Sequence, residues 1–137
     1  MQPRIFDFDA YIQRKLRSRF GTLGEVARQK LLYAVHRLAI ARTNNPAFDS
    51  PCEAADLGPM FRSLYQNRIG DPNQLSAQQQ EFCDLVIRVL GATSGRKLAA
   101  RSHAKYPEWG LARKQKHKRH CNPTITVEAI REQLAAL

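Results

Sequence analysis

Between Ala27 and Ile40 the chain carries a helical pattern whose apolar side chains leave almost no face for water, and this limits what the rest can fold into. At about 100° per residue, Ala27, Leu31, Ala34, Val35 and Leu38 line one side, Leu32 and Ala39 flank them, and Tyr33 and Ile40 fall opposite. Only Lys30 and Arg37, seven residues apart, share a narrow charged stripe. A helix apolar around most of its circumference must be surrounded by others. It therefore belongs at the centre of a domain, and the remaining chain has to supply its cover.

The chain is long enough to do so. Its 137 residues make one ordinary domain, which buries roughly two thirds of its unfolded surface without disulfides or metals. The 43% hydrophobic and 25% charged content is globular. No apolar run approaches the roughly 20 residues of a bilayer crossing, and the acids of the first nine residues stand where a signal peptide needs an apolar stretch. Cys52, Cys83 and Cys121 are an odd number without CxxC spacing, which fits a reducing compartment better than a disulfide framework. The expectation is a cytoplasmic protein with no membrane partner, its thiols small and buried or incidental.

Around the central helix the punctuation predicts further helices. Asp7 or Asp9 caps a first one carrying Phe8, Tyr11, Ile12, Leu16 and Phe20, with Gly21 as its stop. Thr22 and Glu25 read as a capping box for the central helix, and Thr43 to Pro46 ends it. Residues 47–56 read as a loop with a short strand near Cys52 to Leu57. Gly58 is a break, and Pro59 reads as the first residue of a short helix with Met60, Phe61, Leu64 and Tyr65. Ser76 and Gln79 are a second capping box, opening a core-packing helix with Phe82, Leu85, Val86, Val89 and Leu90 on one arc and Glu81, Asp84 and Arg88 on the other. Thr93 or Ser94 starts the next, Pro107 stops it, and Trp109, Leu111 and Ala112 form one more turn. Asn122 to Thr126 is an extended connector, and a C-terminal helix spans 126–137. The expected architecture is a mostly α, compact single domain over 1–137, with six to seven helices around a buried central helix and at most a small β element.

The charge is concentrated. Of the formal +10, residues 96–120 hold nine basic side chains against one acid. Within them lies a basic loop at 113–122, with Arg113, Lys114, Lys116, Lys118 and Arg119 as its strip. Such a run reads as a solvated loop, as a docking strip for an acidic protein, or as a phosphate contact. Only Tyr106 and Trp109 stand near it as stacking aromatics, and neither is interleaved with the charges.

Catalytic signatures are missing from the sequence: there is no GxSxG, no Walker loop, no HExxH and no paired carboxylates at helical spacing. His117, His120 and Cys121 fall short of a four-ligand zinc site, so no metal or cofactor is expected. Tyr33, Glu53, Met60 and Tyr65 are the candidate partner-binding residues, where the central helix meets the Gly58-Pro59 turn. The bland alternative makes Tyr33, Glu53 and Tyr65 core residues with satisfied hydrogen bonds. Glu53, a carboxylate in an otherwise apolar loop, requires a partner, with Lys30 or Arg37 as candidates. His103 and Trp109, six residues apart across Pro107, suggest a bracket for helix ends.

Taken together, Lys30-Leu31-Leu32-Tyr33 with His36 and Leu38, Pro46 to Phe48, Glu53-Ala54, Gly58-Pro59, Tyr65, Leu98, His103, Trp109, Ala112 and the stretch from Ile125 to Ile130 resemble the Panacea domain. That is the antitoxin family that includes the SocA-type proteolytic adaptors, some of whose members come from phages or mobile elements. The resemblance covers Phe8 to Ile130. It departs at Leu57, where the family usually has an aromatic, and in the basic stretch between Trp109 and Ile125. It implies a non-enzymatic antitoxin that neutralises a toxin encoded beside it by protein–protein contact, with delivery to a protease as a variant. The reading from another class is a regulatory nucleic-acid-binding protein using residues 96–120.

Overall fold

A computed structural model of the chain describes residues 3–21, 23–115 and 121–137. Among them are six α-helices, two single 3-10 turns and one three-stranded sheet, so the domain is mostly α. Helix α1 spans Ile5–Phe20, α2 Glu25–Thr43, α3 Ala77–Leu90, α4 Gly95–Lys105, α5 Pro107–Arg113 and α6 Val127–Ala135. Strands β1 (Cys52–Ala55), β2 (Gly58–Met60) and β3 (Thr124–Ile125) lie in the order β2-β1-β3, antiparallel throughout. No helix among the described residues is long and apolar enough to cross a membrane.

Helix α2 is the axis. It packs against α1, α3, α4, α6 and β2, and Leu31, Leu32, Tyr33, Val35, Ala39 and Ile40 are buried along it. Its C-terminal stop is as expected: Asn44 takes a left-handed conformation (φ 64°) and its N–H closes on the Ile40 carbonyl. Its start differs. The capping box on Thr22 lies outside the described residues, and α2 begins at Glu25 with Gly24 as its cap and no side-chain cap bond. Lys30, on the narrow charged stripe, is buried.

Helix α1 begins two residues before the first expected cap. Asp7 stands at its third position, where its carboxylate accepts the Arg4 N–H at 2.8 Å. The same carboxylate accepts the Asp71 N–H at 2.7 Å, which pulls the 70–71 segment onto the start of the helix. Asp9 takes the Arg28 guanidinium in two bonds, of 3.1 and 2.7 Å, and ties α1 to α2. Helix α3 has the expected Ser76–Gln79 capping box, with bonds of 3.2 and 2.7 Å. The Phe20 side chain lies outside the described set.

The largest difference is at Gly58-Pro59. Instead of opening a helix, they form β2, and Arg62–Gln66 follows as a 3-10 turn. Ala55 faces Gly58 across the two-residue turn Asp56-Leu57, and Gly58 has φ 113°, a conformation nearly closed to other residues. Pro59 lacks an N–H for a ladder, and β2 is an edge strand, where none is needed on the outer side. Residues 124–125, expected as a connector, pair with Cys52 and Glu53 as the third strand.

Gly70 has no room for a side chain, because a Cβ there would overlap the Phe6 carbonyl. Gly70→Ala should therefore destabilise the fold by about 1–3 kcal/mol, read as a lower urea midpoint. An unchanged midpoint would mean that the segment docks on α1 less tightly than its geometry implies.

Candidate functional site

The buried polar face of α2 organises the region that the sequence singled out. Gln29 is two-sided: its Nε2 donates to the Phe61 carbonyl at 3.0 Å, and its Oε1 accepts the Phe61 N–H at 2.8 Å. Lys30 follows, with Nζ donating to the Pro59 carbonyl at 2.9 Å. Burial pushes this ammonium down to about 8. Gly58 completes the fit, since a Cβ there would meet the Ser102 hydroxyl and lie 3.1 Å from Lys30 Cε. The hairpin backbone thus rests directly on α2 and α4.

One turn further on, the Tyr33 hydroxyl donates to Glu108 Oε2 at 2.5 Å, and Arg37 places Nε on the same oxygen at 2.8 Å. Glu108 is 1% exposed and would be an isolated buried charge without these two donors. Burial first, then the Glu108 charge, pushes the Tyr33 phenol far above its ordinary value, so it stays protonated as a donor. The Tyr106 ring has the Arg37 guanidinium 4.9 Å and that of Arg101 5.5 Å from its centroid, and its hydroxyl accepts a 2.7 Å bond from Arg101.

Helix α5 holds the hairpin through β1 and its turn. The Trp109 indole N–H donates to the Ala55 carbonyl at 2.7 Å, while the His103 ring stacks on the indole at 3.9 Å and 12°. Arg113 donates to the Ala54 carbonyl at 3.1 Å and to the Asp56 carboxylate at 2.7 Å. The His103–Trp109 bracket therefore joins a helix to a β-turn as well as two helices to each other.

The outer side is different. Glu53 faces Met60 across the β1–β2 ladder, and Tyr65 brings its hydroxyl to 3.7 Å from the Met60 sulfur. Leu57 at the turn is 55% exposed and Tyr65 48%. Glu53 takes the Arg62 guanidinium in two bonds of 2.8 Å and lies 3.4 Å from the Asn122 amide. The Arg62 bond, ahead of the Asn122 one, holds the Glu53 carboxyl below its ordinary value. The arrangement offers a small apolar rim with a carboxylate and a guanidinium beside it, and Tyr33 is no part of that rim.

Several expected placements change accordingly. Tyr33 lies wholly inside, so it cannot touch a partner. The partner of Glu53 is Arg62, not Lys30 or Arg37, because Lys30 is committed to the Pro59 carbonyl and Arg37 to Glu108. Arg113 belongs to α5 and is committed to the hairpin, whereas Lys114 is exposed. Lys116, Lys118 and Arg119 lie outside the described residues, as do His117 and His120. Among the described residues no group of three His, Cys, Asp or Glu could hold a metal ion.

Sequence reasoning missed Gln29 and Glu108. Glu108 had a usable signal as the one acid among nine bases in residues 96–120, placed just after Pro107 at a helix start. Gln29 had none, since a glutamine beside a lysine reads as solvated surface. Comparison of the chain with protein-family profiles, with curated proteins and with solved structures finds no match in any of the three.

Two consequences are measurable. Glu108→Ala leaves a buried phenol and a guanidinium without their acceptor and should cost about 3–5 kcal/mol in urea unfolding; a loss under 1 kcal/mol would mean that Glu108 does not hold α5 against α2. His36 packs between Phe48 and Phe61, 5.3 and 5.5 Å away, and burial pulls it down to about 4. The unfolded chain binds that proton near pH 6.5, so stability is full above 6.5 and falls between 6.5 and 4 by at most about 1.4 kcal/mol per pH unit. His36→Phe should flatten the slope over that window, and a parallel wild-type and variant pH profile would exclude His36 as its source.

Proposed function

We propose that the chain is an antitoxin, a cytoplasmic binding protein that neutralises a toxin encoded beside it by protein–protein contact. The observation that carries this reading is the division of the hairpin. Its inner side is locked by Lys30, Trp109 and Arg113, while its outer side presents Leu57, Met60 and Tyr65 next to Glu53 and Arg62. A rigid edge with exposed aromatic and apolar side chains suits recognition. The resemblance of the same segment to the Panacea domain points the same way. In this reading the protein turns over no substrate, uses no cofactor and acts either by occluding the toxin or by presenting it to a protease.

The nucleic-acid reading draws on Arg96, Lys97, Lys105 and Lys114, which are exposed. It differs from the first in its salt dependence, because phosphate contacts weaken steeply as salt rises, whereas a packed protein interface persists at moderate salt.

Expression of the adjacent gene alone should arrest bacterial growth, and co-expression with this chain should restore it and yield a co-purifying complex stable at moderate salt. Leu57→Asp and Tyr65→Ala, both at exposed positions, should weaken that complex at least tenfold. A harmless neighbour that does not bind, with duplex DNA retained only at low salt, would replace the antitoxin reading by the nucleic-acid one.

A further inference from the structure

A second surface lies away from the hairpin rim. Ala34, Leu38 and Ala41 fall on one face of α2, and Leu85, Val86, Val89 and Leu90 on one face of α3; between them runs an open groove of about 240 Å³. Leu134 of α6 borders it, and Arg37, Arg101 and Tyr106 supply its polar edge. Its apolar lining is partly uncovered: Val89 is 65% exposed, Ala41 is exposed, and Leu38, Leu85 and Leu134 are half-buried. This is the part of the apolar circumference of α2 that the domain itself leaves open.

The dimensions and charges select the occupant. Pockets for drug-sized ligands run from about 300 to 1,000 Å³ and enclose most of the ligand, and this groove is smaller and partly open. Apolar residues at helical spacing on two helices, with alanines on the α2 side, instead admit a third helix whose side chains fill the space between them. The charge at the edge is unbalanced. Arg37 is matched by Glu108, but Arg101 binds the neutral Tyr106 hydroxyl, and among the described residues no carboxylate pairs with it. With a formal charge of +10 on the chain, an acidic partner is favoured over a basic one.

We propose that the groove between α2 and α3 receives an acidic amphipathic helix of a partner protein, with its apolar stripe on Leu38, Ala41, Leu85 and Val89 and a carboxylate on Arg101. That the partner is the toxin rests on the function proposed above; the chemistry of the groove does not.

The test uses the full chain, isotopically labelled, and two 18-residue peptides. One has Leu at helical spacing and Glu elsewhere, and the other has Ser in place of every Leu. The Leu peptide should shift the amide signals of Leu38, Ala41, Leu85 and Val89. Val89→Asp, an exposed site whose folding is checked by circular dichroism, should weaken its binding at least tenfold, and Arg101→Gln about threefold with a shallower salt dependence. Equal binding of the Ser peptide, shifts centred on Glu53 and Tyr65, or occupation of the groove by sodium decanoate with no peptide binding would each overturn the proposal. If the adjacent gene proves harmless while the Leu peptide binds, the antitoxin reading falls and the groove stands. If Val89→Asp still rescues growth fully and the peptide does not bind, the groove falls and the antitoxin reading stands.

Discussion

The Glu108 carboxylate, out of contact with water, receives the Tyr33 hydroxyl and the Arg37 guanidinium from α2, and the placement of the C-terminal half depends on it. A buried carboxylate without donors would be too costly to keep, so the start of α5 is obliged to lie against that one turn of α2. Once it does, Trp109 and Arg113 on the same short helix fall beside the hairpin carbonyls of Ala55 and Ala54. A seven-residue helix is too short to hold a position by its own stability. The ion pair and the indole bond give it one.

The same turn-by-turn logic runs along α2. Gln29 holds the Phe61 peptide, Lys30 the Pro59 carbonyl, and Tyr33 and Arg37 the Glu108 carboxylate. These polar groups fix the register on α2 of two segments, Pro59 to Phe61 and the start of α5, that apolar packing alone would leave free to slide, because hydrophobic contact is not directional whereas a hydrogen bond is. In the proposed readings, recognition falls to the periphery: the hairpin rim and the groove beside α3 both consist of side chains standing on backbone that the interior hydrogen bonds hold in place, which would lower the ordering cost of binding.

Legibility in the sequence followed the periodic signals. Capping at Ser76, the stop at Asn44 and the central position of α2 were readable because each depends on residues within a few positions of one another. Gly58-Pro59 was misread for the same reason: Pro at a helix start and Pro on an edge strand are locally alike, and only the pairing of Ala55 with Gly58 and of Cys52 with Ile125 separates them. Tyr33 read equally well as a contact residue or as core, and its buried place was decided by Glu108, 75 positions away. The partner of Glu53 could not be read either, since Arg62 approaches it only after the chain has turned at Asp56-Leu57.

By itself, the sequence determined that this chain forms a mostly α domain built around one helix apolar over most of its circumference, with its surplus positive charge gathered between residues 96 and 120. Those properties follow from composition and from spacing of three and four residues, which act locally. The tertiary structure alone decided which polar residues turn inward, which side of the hairpin stays wet, and which stripe of α2 remains uncovered. Each of those depends on a contact between distant segments, where the desolvation of a charged or polar group is balanced only if its partner arrives from elsewhere in the chain.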